Sequence, residues 1–320
     1  MGTGASSKLD PTRGVKIEKR RKGEEEKRRR GLQSFNLFCL FFVFLACFAV
    51  SSSAQTLENF GEQIRSGSTE QKRSALFELR NRQTEEASRI ALPALKDSDE
   101  IVRATAAFSV IFLPRTEAFN ALAPNLQDKS EIVRRETAYA LGKVQEPAAI
   151  NPLIQTFQKD KSIEVKNAAV VALGEIGDAS AIDFLTQTLQ QKPSDANEFL
   201  RRSAARAIGQ IAQIIQIRQA YTVTPESFLP EKYKFFTLEK YRNLSALFPE
   251  FRRAVPVLAQ ILQNPKETDD TKRETAFALG AVGDASALAV LETGVNSKDY
   301  YLAEICWESI KKLARVNETE

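Results

Sequence analysis

The sequence predicts an all-α protein built as a solenoid of about seven stacked helix pairs. Three observations predict it. A block of near-constant length recurs along most of the chain. A residue type that opens helices stands at one fixed place in every copy. The apolar residues inside each copy fall at helical spacing. Self-similarity at such a period is the signature of a stack of units, none of which can bury its apolar face alone.

The period is read from a fixed reference. Stepping back nine residues from the Gly of each Ala-Leu-Gly or Ala-Ile-Gly triplet (Gly142, Gly174, Gly209, Gly280) gives Val133, Val165, Leu200 and Thr271. These define position 0. Degenerate copies place it also at Gln71, Val102 and Leu302, with steps of 31, 31, 32, 35, 71 and 31 residues. Three residues earlier stands Ser68, Asp99, Ser130, Ser162, Asn197, Thr268 or Asp299. Each has a side-chain oxygen able to accept from an unpaired N–H of a first helical turn. An acid follows the cap in most copies (Glu70, Glu100, Glu131, Glu164, Glu198, Asp269), where the helix dipole favours negative charge. A basic residue follows position 0 in six of the seven copies.

From the N-terminus, residues 1–34 are charged, holding 11 Lys/Arg and 5 Asp/Glu. They read as an unstructured leader with nothing to bury. Residues 35–54 carry no charge, and Leu37 to Val50 has no polar side chain. Basic residues, an apolar run and then Ser-Ser-Ser-Ala reproduce the order of a secretory signal, with cleavage expected after Ala54. If uncleaved, the segment is an N-terminal membrane anchor. Either way the basic leader stays on the cytoplasmic side and the repeats are exported, to be periplasmic, extracellular or anchored. The repeat domain then spans 55–320. Its first copy is a charged capping repeat, with a second helix over 69–80. In later copies the first helix carries spaced apolar residues (Ile150, Leu153, Ile154, Phe157; Val255, Leu258, Ile261, Leu262). The second helix buries position 0, small residues at +4 and +5 and a large one at +8, as in Val133, Thr137, Ala138 and Leu141. Gly177 and Gly283 close second helices as C′ glycines, and Asp178 and Asp284 cap the next turn of the chain.

The double step of 71 residues marks an irregular, aromatic-rich insertion at about 221–249, with Tyr221, Phe228, Tyr233, Phe235, Phe236, Tyr241 and Phe248. Two readings stay open: a degenerate repeat packed into the stack, or a projecting element. The last helix, 300–315, carries the only Trp, Trp307, at an expected core position.

These features resemble the HEAT-repeat family, in particular the HEAT-like repeats of the phycobilin lyase type. The shared pattern is L-x-D-x-x-x-x-V-R-x-x-A-A-x-A-L-G-x-I-G-D. It is carried by Leu126, Asp128, Val133, Arg134, Ala138, Ala140, Leu141 and Gly142. It returns in Asp160, Val165, Lys166, Ala169, Ala172, Leu173, Gly174, Ile176, Gly177 and Asp178. The resemblance covers roughly 57–320 apart from about 215–250. It implies a right-handed α-α superhelix whose second helices line a concave surface. It also brings an alternative activity, attachment or detachment of a bilin chromophore.

Composition narrows the chemistry. The chain has no His, which removes the commonest general base and every His-containing metal site. Once 1–54 is set aside Cys306 is the only Cys, so no internal disulfide forms, and it reads as a buried small residue. No phosphate loop, metal cluster or nucleophile motif is present, so no catalytic residue, cofactor or metal is assigned. Beyond residue 54 there are 34 basic and 36 acidic residues, so the overall positive charge belongs to the leader and a nucleic-acid partner is not expected. The Asp at −5 and the base at +1 recur together (Asp97, Asp128, Asp160, Asp195) and read as a ladder tethering successive units.

The expected partner is a protein. Positions +2 and +6 share one face of each second helix. They include Phe77, Phe108, Arg135, Tyr139, Arg202, Arg206, Arg273 and Phe277, the aromatic and Arg mixture of interaction hot spots. The competing reading packs position +6 between neighbouring repeats. Full burial of both Phe108 and Tyr139 would decide for it.

Overall fold

A computed structural model describes residues 57–221 and 241–316. The chain divides into two compact units, 1–59 and 60–320, and the repeats lie in the second from residue 60 onward. The leader, the apolar segment and the central part of the insertion fall outside the described residues.

The described residues form seven helix pairs and no strand. The first helices are α1 (57–66), α3 (Glu85–Ala91), α5 (Arg115–Leu122), α7 (Ile150–Lys159), α9 (Ile182–Leu189), α11 (Pro249–Gln263) and α13 (Leu288–Val295). The second helices are α2 (Thr69–Arg82), α4 (Glu100–Ser109), α6 (Glu131–Val144), α8 (Ile163–Ile176), α10 (Glu198–Tyr221), α12 (Asp269–Val282) and α14 (Tyr300–Val316). Each second helix packs on the second helix of the next pair. This is the all-α solenoid that the period predicts.

Local chemistry starts and stops the helices where expected, with two exceptions. Ser68, Asp99, Ser162, Thr268 and Asp299 accept from first-turn amides. Ser130 occupies the cap position without a side-chain bond. Asn197 turns backward, accepting from Ser194 N–H and donating to the Lys192 carbonyl. Gly177 (φ 72°) and Gly283 (φ 76°) end α8 and α12 in the left-handed region, whereas α2 and α6 end there on Gln83 and Gln145. Asp178 and Asp284 cap the turns after them.

The stack is close because of the residues at +9 and +7. A methyl group at Gly142 would lie 2.9 Å from the Cα of Ala172, and one at Gly174 2.9 Å from the Cα of Ala207. The missing side chain of one helix is therefore filled by the backbone of the next. Where +7 is serine the hydroxyl crosses the same gap: Ser109 donates to the Leu76 carbonyl and Ser309 to that of Ala276. Position 0 is buried in the copies from Val102 onward.

The charge ladder joins neighbours. Lys72 pairs with Asp97 (2.6 Å), Arg103 with Asp128 (2.8 Å) and Arg134 with Asp160 (2.6 Å). Arg103 also donates to the Asp97 and Ser98 carbonyls of its own turn. These are not loose surface pairs: the Arg103 and Asp128 side chains are 8% and 12% exposed. The ladder is not complete: no ion pair joins Lys166 to exposed Asp195, and Lys166 Nζ lies instead 5.6 Å over the Phe157 ring. Across the long step the position expected of the acid is Lys266, and fully buried Arg201 pairs with its neighbour Glu267.

That step does not interrupt the stack. α10 packs directly on α12, and α9 on α11, so no repeat is intercalated between them. Instead α10 runs to 24 residues, against 14 for α8 and α12. The described base of the insertion is clamped: buried Gln216 donates to the carbonyls of Arg242 (2.7 Å) and Ala281 (3.2 Å) and accepts from Arg242 N–H (3.1 Å). A helical turn, Leu244–Leu247, then leads into α11, and the Phe248 ring meets Phe251 edge-on.

Trp307 departs from expectation. It is not in the core but 48% exposed, with Lys311 Nζ 4.8 Å over its ring. Trp307 stands at +5, on the side of a second helix that the following pair covers, and no described pair follows α14. The equivalent residues Ala107, Ala138, Val170, Ala205 and Ala276 are all buried.

Candidate functional site

The same face of consecutive second helices forms one open groove of ≈970 Å³, walled by α8, α10, α12 and α14. Positions +2 and +6 supply much of its lining: Val171, Arg202, Arg206, Arg273, Phe277, Glu304 and Glu308. Helical periodicity explains this. Residues four apart stack on one face, and parallel stacking repeats that face in each unit. A smaller hollow of ≈270 Å³ adjoins it, reaching Lys143 of α6 and Gln145 just past its end. Glu175, Gln210 and Gln213 line both.

The predicted residues thus fall into two groups. Arg202, Arg206, Arg273 and Phe277 meet in the groove. Phe77, Phe108, Arg135 and Tyr139 hold the corresponding positions of α2, α4 and α6, outside that groove. Phe108 and Tyr139 are half-buried and Phe77 is 58% exposed, so the full burial that would exclude a surface stripe is not found. The guanidinium of Arg80 covers the Phe108 ring at 4.8 Å. Desolvation raises the Tyr139 hydroxyl above its ordinary value.

The arginines are not free anchors. Arg202 pairs with Asp270 (2.7 Å) and Arg206 with Glu274 (2.6 Å), in each case an acid of the next repeat. Arg273 holds Asp270 at 2.7 Å and also Asp299 of the following repeat. The Arg206 guanidinium is raised above its usual value first by the Glu274 hydrogen bond. Lining carboxylates outnumber lining cations by five to four, so the groove carries no positive field.

Among the lining residues outside the +2/+6 stripe, four present aromatic, carboxamide or ammonium groups to the groove. Phe199, 48% exposed, stands at −1 with the Arg202 guanidinium 4.9 Å over its ring. Gln210 and Lys312 stand at +10, one turn further along the same face, and Gln213 at +13. Extending the stripe by four residues would have found Gln210 and Lys312, with Glu175 at the same +10 position. Lys312 Nζ lies 5.4 Å over Phe277, and burial pushes its ammonium below its ordinary value despite the opposing charge of Glu308.

Among the described residues no group of three or more His, Cys, Asp or Glu is placed to hold a metal ion. Cys306 is a buried free thiol beneath α13, and burial pushes it up to about 11. No described helix is long and apolar enough to cross a membrane.

A family model of HEAT repeats matches residues 88–173 and 150–218. No curated protein is similar to the chain in sequence. Among solved structures, human deoxyhypusine hydroxylase in complex with glycerol is similar at 19% identity over 83% of this chain and 98% of that one, with a TM-score of 0.37. The complex of CpcE and CpcF of phycocyanin lyase from Nostoc sp. PCC7120 is similar at 18% identity, over 82% and 92%, with a TM-score of 0.43. A designed armadillo repeat protein in complex with the peptide (KR)4 matches at 17% identity, over 80% and 99%, with a TM-score of 0.41. At these scores the likenesses carry no argument about activity or partner.

Proposed function

We propose that this chain, whose helix pairs are HEAT-like repeats, is a scaffold without catalysis that holds a protein partner along its second-helix face. One observation carries the reading. Surface positions that recur at a fixed register in four successive repeats converge on a single groove, and the groove leaves aromatic and charged side chains open to solvent. Three of the groove's four cations, Arg202, Arg206 and Arg273, are already paired within the chain, which disfavours a phosphate backbone as ligand.

The test is photo-crosslinking in the native host. A benzophenone amino acid in place of Arg206, in the groove, is expected to trap a specific protein. The same residue in place of exposed Arg115, on a first helix, should trap none. Equal labelling from both sites, or from neither, would sink the proposal. Bilin added to the purified chain is expected to leave the bilin absorbance unchanged. A shifted band would favour the chromophore-lyase alternative.

The proposal extends to place. The uncharged 35–54 segment after a basic leader supports export, as a cleaved signal or as an anchor. N-terminal sequencing of the natural product should begin at Gln55 if the signal is cleaved. An intact N-terminus on a membrane-bound protein fits the anchor, and an intact soluble cytoplasmic protein contradicts both.

A further inference from the structure

The groove offers three features that the chain itself leaves unused. First, the carboxamides of Gln210 and Gln213 hydrogen-bond to no described residue, although both stand where the two hollows meet. A carboxamide presents a donor and an acceptor side by side, the complement of a peptide group. Second, Lys312 is half-buried over Phe277 with no carboxylate within hydrogen-bond distance. The nearest acid on its own helix, Glu308, is taken by Lys311 at 2.9 Å. The other lining cations, Arg202, Arg206 and Arg273, are paired. Third, the joined hollows cross five second helices, α6 to α14.

The crossing sets a length. Packed helix axes lie about 8–10 Å apart, so four steps span roughly 32–40 Å. At about 3.3 Å per extended residue that is roughly ten residues. The unused carboxamides decide between an extended and a helical occupant. A helix satisfies its backbone groups internally and offers them nothing. An extended segment presents an N–H or a C=O at every residue.

Resting on the reading that this face binds protein, we infer that the occupant is an unstructured, extended stretch of the partner, roughly ten residues long. Its backbone is held by Gln210 and Gln213, and one acidic side chain is held by Lys312.

The probe is a library of linear peptides of that length, panned against the full chain. The expected outcome is enrichment of sequences sharing one Asp or Glu at a fixed position. Fluorescence anisotropy of the best peptide then separates the two contacts. Lys312→Glu should weaken it by about tenfold or more, as loss of a charge-assisted hydrogen bond does. Exchanging the peptide's acid for Lys should restore binding to that variant. Lys312→Gln checks that the loss is not misfolding, and should weaken binding less than Lys312→Glu. Replacing Gln210 and Gln213 together by Ala should weaken the peptide and its acid-to-Ala version by the same factor, because the backbone is the part they hold. Enrichment of basic or helical peptides would overturn the inference, as would a Lys312→Glu affinity within about twofold of the parent. A protein trapped from position 206 with no linear peptide enriched would also overturn it, while leaving the protein-binding reading intact. Failure of the crosslinking itself removes both.

Discussion

Adding one methyl group at two different glycines should move stability in opposite directions. Gly61 lies inside α1 and Gly174 inside α8. Helix propensity alone favours alanine at both, by about 0.5–1 kcal/mol. At Gly61 the new carbon would meet Arg65 Nη1 at 3.5 Å and Ile90 Cγ2 at 3.6 Å, ordinary contact distances. Gly61→Ala should therefore stabilise by about 0.5–1 kcal/mol. At Gly174 it would stand 2.9 Å from both the Cα and the Cβ of Ala207. Carbon atoms rest at about 3.5–4.0 Å, so α8 and α10 must part by roughly 0.6–1 Å. Overpacking of this kind costs about 1–3 kcal/mol, toward the upper end when backbone rather than a flexible tip must move. Subtracting the propensity gain leaves a net loss of about 1–2 kcal/mol for Gly174→Ala. Repeat stacks open in segments, so the measurement is native-state amide exchange read separately in α2, α8 and α10, alongside urea unfolding. Protection should fall in α8 and α10 for Gly174→Ala and rise near α1 for Gly61→Ala. A Gly174→Ala protein as stable as the parent, or more so, would refute the claim that the recurring glycine exists for helix contact.

Removing Arg103 should leave the Asp128 carboxylate facing an interface rather than water, and Arg103→Ala is expected to cost about 2 kcal/mol by chemical denaturation. The same change at Arg89, on an exposed pair with Glu117, should have little measurable effect, and equal losses would contradict the ladder. Burial alone would raise Asp97, Asp128 and Asp160, but Lys72, Arg103 and Arg134, with turn amides, outweigh it and hold all three below the ordinary carboxylate value. Because their folded values lie below the unfolded ones, the stability they add is complete above about pH 4–5 and is lost as pH falls through the folded values. Melting temperature should be level from neutral pH to about pH 5 and drop below about pH 4, less steeply in Asp128→Asn; an equally steep drop in that variant would exclude Asp128 as a contributor. Cys306, with its thiol pushed up to about 11 and no exposed surface, should resist alkylation at pH 8 until the chain is unfolded; rapid labelling of the native protein would show that α13 opens over it.

Much of the site is legible in the sequence because a solenoid repeats its own surface. The +2/+6 register singles out Arg202, Arg206, Arg273 and Phe277, and all four line the groove. Nothing in the register says which acids neutralise the arginines. Asp270 and Glu274 are 68 residues away from Arg202 and Arg206, across the insertion, and become neighbours only because α10 packs on α12. Gln210, Gln213 and Lys312 escape the register for a simpler reason: a stripe of +2 and +6 covers two turns, and these helices present more. Trp307 is exposed against expectation because amphipathic spacing identifies a face without saying whether a described helix lies against it.

The sequence by itself determined whatever the backbone decides within a few residues. The caps at Ser68, Asp99, Ser162, Thr268 and Asp299, the left-handed exits at Gly177 and Gly283 and the apolar spacing all involve partners no more than a turn or so away. Only the tertiary structure decided that the long step skips no place in the stack, that Gln216 clamps the base of the insertion, and that the two hollows join over Gln210 and Gln213. Those outcomes depend on which surfaces meet across 26 to 70 residues of chain, and a short-range pattern carries no record of that choice.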